Sequence, residues 1–131
     1  MNTKLQVTTI MLGVKDVARA KKFYAEGLGC EIDQDHPGFV KCDLGEGSPS
    51  LALYAWEAAA QDAGVPAEGS GFRGSSFHFV TGSRDEVDEV MRAAAAAGGT
   101  VVKEAAAAGW GGYFGYFSDP DGYLWKVTTA A

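Results

Sequence analysis

The chain has no run of about 18 apolar residues, the length a helix needs to cross a bilayer. Its amino terminus, Met1-Asn2-Thr3-Lys4, leads directly into a strand pattern without an apolar signal-peptide core. Neither a membrane span nor a secretory leader is expected. Cysteine is scarce, with only Cys30 and Cys42. Two thiols are too few for a disulfide framework, and both fall in strand-like runs. They read as buried thiols in a reducing compartment, which points to a cytoplasmic location. Basic residues are outnumbered, 11 Lys and Arg against 17 Asp and Glu, for a net charge of −6. Nucleic acid and anionic membrane are bound through basic patches, so neither is an expected partner. Histidine is limited to His36 and His78.

The 131 residues are 47% hydrophobic and 21% charged, the composition of one ordinary globular domain spanning 1–131. A chain of this size buries roughly two thirds of its unfolded surface and holds a core without staples.

The clearest local signal is a hairpin near the carboxyl end. Aromatic residues from Tyr113 to Phe117 run up to Asp119-Pro120-Asp121-Gly122, and Tyr123 to Val127 leaves it. Proline fixes φ at the start of this turn and glycine supplies the φ > 0 position. Upstream, Leu5–Gly13 reads as a strand. Asp16 offers an N-cap to a helix with Val17, Ala20, Phe23, Tyr24 and Leu28 on one face, ended by Gly27 and Gly29. Three strands follow, from Cys30, over Phe39–Leu44 and over Ser50–Trp56, with His36 in the turn at Pro37-Gly38. Residues 57–74 begin as a short helix and continue as a Gly-rich linker; as a pocket lid, this segment would have Phe72 as its apolar anchor. The order then repeats. Ser75–Thr81 is a strand, and Ser83 with Glu86 fits a capping box before a helix ended by Gly98-Gly99. Thr100–Lys103 is a strand, Ala105–Gly109 a connection of low information, and the hairpin supplies the last two strands. Residues 1–56 and 75–131 are therefore two βαβββ modules. The predicted fold is α+β: a curved mixed sheet around a cavity, with the helices on the convex side.

Two stretches carry a family resemblance. One runs from Met11-Leu12-Gly13-Val14-Lys15-Asp16-Val17 through Phe23-Tyr24 to Leu28-Gly29. The other runs from Trp110-Gly111-Gly112-Tyr113 through Ser118-Asp119-Pro120-Asp121-Gly122-Tyr123-Leu124-Trp125. In this order the chain resembles the vicinal oxygen chelate superfamily, which groups glyoxalases, bleomycin-resistance proteins and extradiol dioxygenases. The resemblance implies paired βαβββ modules and, commonly, a homodimer. It also implies a divalent metal in the enzymes, held by His, Gln or Glu on the first and last strands of each module.

Carried over one at a time, those positions fall on Thr9, near Leu51 with Leu53 next on the same face, near Ser76, and on Lys126. None is a ligand of the required kind. His78, two residues past Ser76, shares its face of the strand and is a lone pocket histidine or a sign that the register is shifted by two. The expected metal and cofactor content is therefore none, with no catalytic residue assigned.

What remains at the cavity is aromatic. Phe39, Tyr113 and Tyr116 fall on strands, and Met11 lies on the first. Trp110 is displayed between glycines, as suits stacking on a flat ligand. The ligand-binding set is thus Thr9, Met11, Phe39, Leu51, Leu53, Ser76, His78, Trp110, Tyr113, Tyr116 and Lys126. It implies a small hydrophobic or aromatic ligand held without chemistry, as in the drug-sequestering resistance proteins of the superfamily. The alternative is a glyoxalase-like lyase, isomerase or dioxygenase with unusual metal ligands or none. A third reading is a degenerate module with a filled cavity.

Overall fold

The structure, a computed structural model, describes residues 7–63, 66–69, 73 and 76–131. Leu5 and Gln6 of the first expected strand, Ser75 of the fifth, and the lid anchor Phe72 lie outside the described residues.

The elements come in the expected order. Strand β1 is Thr9–Val14, and helix α1, Val17–Lys21, widens into a π-helical turn over Lys22–Gly27. Strands β2 (Glu31–His36), β3 (Phe39–Asp43) and β4 (Ser50–Ala55) complete the first module. Helix α2 (Trp56–Ala63) leads away from it. The second module is β5 (Phe77–Val80), α3 (Arg84–Ala96), β6 (Thr100–Ala107), β7 (Tyr113–Ser118) and β8 (Leu124–Thr129).

The two sheets have the same topology, β1-β4-β3-β2 and β5-β8-β7-β6. In each, the first strand pairs parallel with the last and the other pairs are antiparallel. The internal repeat read from the sequence is thus a repeat of topology.

Local chemistry explains the boundaries. The Asp16 carboxylate accepts from the Arg19 amide at 3.0 Å, and the Ser83 hydroxyl accepts from the Glu86 amide at 3.2 Å, each filling an orphan donor of its helix. Gly98, at φ +105°, turns the chain out of α3. Several boundaries differ from expectation. His36, expected in the turn, closes β2 and pairs with Phe39, because the turn needs only Pro37 and Gly38. Trp56 opens α2 instead of closing β4. The alanine stretch after Lys103 belongs to β6, because Ala106 and Ala107 pair with Phe114 and Tyr113 of β7.

One core lies between the helices and the face each sheet turns toward them. Leu12, Val14, Val40, Leu51 and Leu53 line it from the first sheet, Phe117 and Val127 from the second. Phe23 and Tyr24 of the π-helical turn and Val87, Met91 and Ala94 of α3 fill the space between. The approach is close: a Cβ on Gly27 would stand 2.3 Å from that of Ala97.

Asp119 and Asp121 of the terminal turn fasten the modules together. Tyr24 donates to Asp119 Oδ2 at 2.7 Å. Asp121 Oδ1 accepts from the Lys15 amide at 2.7 Å and from Arg19 at 3.0 Å. The Tyr123 hydroxyl donates to the Gly13 carbonyl at 2.8 Å.

Candidate functional site

Because side chains alternate across a strand, fixing the core face fixes the other. In the first sheet the face turned away from the helices carries Thr9 and Met11 of β1, Ser50, Ala52 and Tyr54 of β4, and Phe39 and Lys41 of β3. Phe39 and Tyr54, directly opposite, meet edge to face at 5.6 Å. Lys41 pairs with Asp33 at 3.8 Å.

In the second sheet the open face carries His78, Lys126, Tyr116 and Lys103 in one cross-strand row, with Phe114 and Thr128 in the next. Lys126 Nζ lies 4.5 Å and Lys103 Nζ 4.8 Å from the centre of the Phe114 ring. Tyr116 meets Phe114 edge to face at 6.1 Å. Trp110 lies nearly parallel to Phe114, 12° between planes at 6.3 Å, and stays 60% exposed. Gly112 permits this, since a Cβ there would fall 1.9 Å from the indole.

The expected site residues divide accordingly. Thr9, Met11 and Phe39 share the open face of the first sheet. His78, Tyr116 and Lys126 share that of the second, and Ser76 Oγ sits 3.2 Å from His78 Nε2. Trp110 stacks over the latter group. Leu51 and Leu53 are corrected by one position: they are 1% and 0% exposed on the core side, opposite Ile10 and Leu12, and the open face of β4 belongs to Ser50, Ala52 and Tyr54. Tyr113 is also turned to the helices. Its hydroxyl donates to Asp88 Oδ1 of α3 at 2.6 Å, and that bond holds the phenol above its ordinary pKa.

Sequence reasoning passed over Phe114, Lys103 and Trp56. Phe114 was legible as two residues before Tyr116 on the same strand face. Lys103 was not, because β6 and β7 are twice out of regular register between Val101 and Ala106. Trp56 walls a cavity of about 830 Å³ that also touches Lys15, Arg73, Ser118, Asp121 and Leu124. Its indole donates to the Ala67 carbonyl at 2.8 Å, and Lys15 Nζ sits 4.5 Å from its ring. Ser118 and Leu124 pair with each other two residues along from Tyr116 and Lys126, so this cavity continues the open face of the second sheet.

A second hollow, about 600 Å³, lies on the helix side between the modules and touches Tyr24, Cys30, Leu51, Phe117 and Trp125. Burial dominates its chemistry. It pushes the Tyr24 phenol up, and raises the thiols of Cys30 and, to about 11, nearby Cys42. These groups are neutral near pH 7.

The sequence profile of the Glyoxalase/Bleomycin resistance protein/Dioxygenase superfamily matches residues 6–127. The chain belongs to that superfamily. Solved structures carry the same fold. A glyoxalase-related enzyme from Fulvimarina pelagi is 29% identical, with a TM-score of 0.83 over 95% of this chain and 87% of that one. A glyoxalase/bleomycin resistance protein/dioxygenase family enzyme from Burkholderia phytofirmans PsJN is 21% identical, with a TM-score of 0.79 over 95% and 98%. A lactoylglutathione lyase from Agrobacterium tumefaciens is 22% identical, with a TM-score of 0.72 over 98% and 96%. No curated protein sequence matches.

The residues at the superfamily's metal-ligand positions do not fit a divalent cation. On the open faces those strands offer Thr9, Ser50 or Ala52, Ser76 with His78, and Lys126. That is one imidazole, weakly ligating hydroxyls and an ammonium, where the ion needs imidazoles and carboxylates. Among the described residues no three His, Cys, Asp or Glu side chains come together as a metal-binding group. Nor is any described helix long and apolar enough to cross a membrane.

Proposed function

We propose that this superfamily member is a small-molecule binding protein that holds a flat aromatic compound by stacking and burial and returns it unchanged. One observation carries the reading. The open face of the second sheet gathers Trp110, Phe114 and Tyr116 around Lys126, where a catalytic member would present metal ligands. Aromatic pairs contribute about 0.5–1.5 kcal/mol each beyond the area they bury. A ring inserted beside the exposed Trp110 gains that contribution without disturbing the core. Sequestration of a drug-like natural product is the biological form of this activity.

The working unit is a homodimer. Strands β1 and β5 are hydrogen-bonded on one side only, and they leave Met11 42% and Val80 71% exposed. Unpaired apolar edges of this kind call for a partner. A second copy would cover both edges and close the open faces into a cleft.

Tryptophan fluorescence tests the binding. Planar aromatic natural products are titrated into the full chain with and without Mn²⁺, Fe²⁺ or Zn²⁺, and the compound is recovered. Saturable, metal-independent quenching with an unaltered ligand is expected. Trp110→Ala weakens binding by about tenfold while leaving the fold intact. Quenching only with metal, or an altered compound, overturns the reading in favour of an enzyme.

A further inference from the structure

The charge of the ligand is written across the second sheet. Register aligns Lys103, Tyr116, Lys126 and His78 in one row over β6, β7, β8 and β5. Two ammonium groups therefore stand on one face, both within 5 Å of the centre of the same Phe114 ring. The chain has 17 carboxylates and a net charge of −6, so anionic partners are plentiful. Arg19, Lys21 and Lys41 each have one, Asp121, Asp35 and Asp33 respectively. Among the described residues no carboxylate comes within 4.0 Å of Lys103 or Lys126. Among the described residues Glu104, adjacent in the chain, makes no ion pair either. Among the described residues the charge compensation is the π-face of Phe114, worth about 0.5–1 kcal/mol for a cation at an exposed site. Two like charges gathered from separate strands repel each other, and among the described residues neither has a carboxylate within 4.0 Å, a condition that Lys15, Lys22 and Arg73 share. The groups around them, the Tyr116, Thr128 and Ser118 hydroxyls, are hydrogen-bond donors.

We propose that this row is an organic-anion site: the ligand carries a carboxylate, sulfonate or phosphate on an aromatic frame. Its anionic group lies between Lys103 and Lys126 and accepts from Tyr116, and its ring stacks beside Phe114 and Trp110. The inference rests on the reading of this face as a small-molecule site and adds the sign of the ligand's charge.

A matched pair of probes separates the inference from the reading beneath it. 8-Anilinonaphthalene-1-sulfonate carries the anion, and N-phenyl-1-naphthylamine is the same frame without it. Both are titrated by fluorescence into the full chain at low and high salt. The wild type should bind the sulfonate about tenfold more tightly than the neutral probe, and salt should erase the preference. Lys103→Met and Lys126→Met should each weaken the sulfonate about fivefold or more and leave the neutral probe unchanged. Lys126→Arg should retain it. Lys22→Met, at an exposed lysine on the helix side that makes no ion pair among the described residues, should not alter either probe.

Equal affinity for the two probes in the wild type overturns the anion site and leaves the aromatic-binding reading standing. So does an equal loss of sulfonate binding in Lys22→Met and Lys126→Met, which would reduce the effect to net charge. Failure of both probes to bind saturably overturns both.

Discussion

Replacing Tyr24 by Phe removes a single oxygen from the centre of the molecule. That oxygen donates to Asp119 Oδ2 at 2.7 Å and accepts from the Trp125 indole at 3.1 Å. Tyr24 is 1% and Asp119 2% exposed, so water does not replace either bond. A hydrogen bond to a charged group contributes about 1.5–3 kcal/mol, and the indole N–H left without a partner adds about 1 kcal/mol. Partial relaxation of the site reduces their sum, and the expected loss is about 3 kcal/mol, or roughly 10 °C in Tm for a chain of this size.

The loss depends on pH. Burial raises the Asp119 carboxyl, while bonds from Tyr24 and from the amides of Tyr123 and Asp121 pull it back down. The folded state therefore binds this proton more tightly than the unfolded state. Stability from this group is full below the ordinary carboxylate value of about 4 and declines as pH rises through the folded value. Tyr24→Phe deletes one of the groups opposing burial, so the folded value rises further and the decline deepens. Urea unfolding at about pH 7.5 and about pH 4.5 reads the difference, and the substitution should cost at least about 1 kcal/mol less at the lower pH. An equal cost at both, or a cost below about 1 kcal/mol at neutral pH, refutes an ionised Asp119 bonded to Tyr24.

Gly27→Ala should destabilise by about 1–3 kcal/mol, since its methyl would stand 2.3 Å from that of Ala97, and Ala97→Gly in the same chain should restore much of that loss in urea melts. No restoration would place the strain elsewhere. Sedimentation should show a dimer at micromolar concentration that shifts toward monomer in Val80→Lys, because the charge lands on the exposed β5 edge; a monomeric wild type refutes the dimer.

The repeat was legible because its punctuation is local. Asp16 and Ser83 cap their helices through their own side chains, and Gly122, at φ +91°, closes the turn that proline opens. Lys126 was located by counting from that turn, His78 by its spacing of two from Ser76, and Tyr116 only by its ring and hydroxyl; the strand pairing shows that the three share one face. β4 defeated the same procedure. Leu51, Ala52 and Leu53 are all buried, so its sequence shows no alternation and gives no phase. Ala52 points to the open face between Met11 and Lys41, and only the pairing with β1 and β3 reveals it. Tyr113 misled for another reason: an aromatic ring with a hydroxyl suits a pocket and a core equally, and Asp88 on α3 decides between them. β6 was cut short because alanine carries no pattern to read.

The placement of charge ties the fold to the site. Around the second sheet Asp88 is engaged by Tyr113 and Asp119 by Tyr24 on the side facing the helices, while Asp121, at the rim of the open-face cavity, is engaged by Arg19 and the Lys15 amide. These bonds join α3 to β7 and the terminal turn to the first module, so they are needed where they are. None of these three acids, already engaged, is paired with Lys103 or Lys126 on the open face. The arrangement that locks the modules together is thus the one that leaves an uncompensated cationic row on the open face. Moving one acid across the sheet, as Thr128→Asp would do beside Phe114 and Lys126, should fill the row from within and abolish sulfonate binding while the core stays intact. The terminal turn does both, holding the core with its aspartates and setting by its position which residues of β7 and β8 face outward.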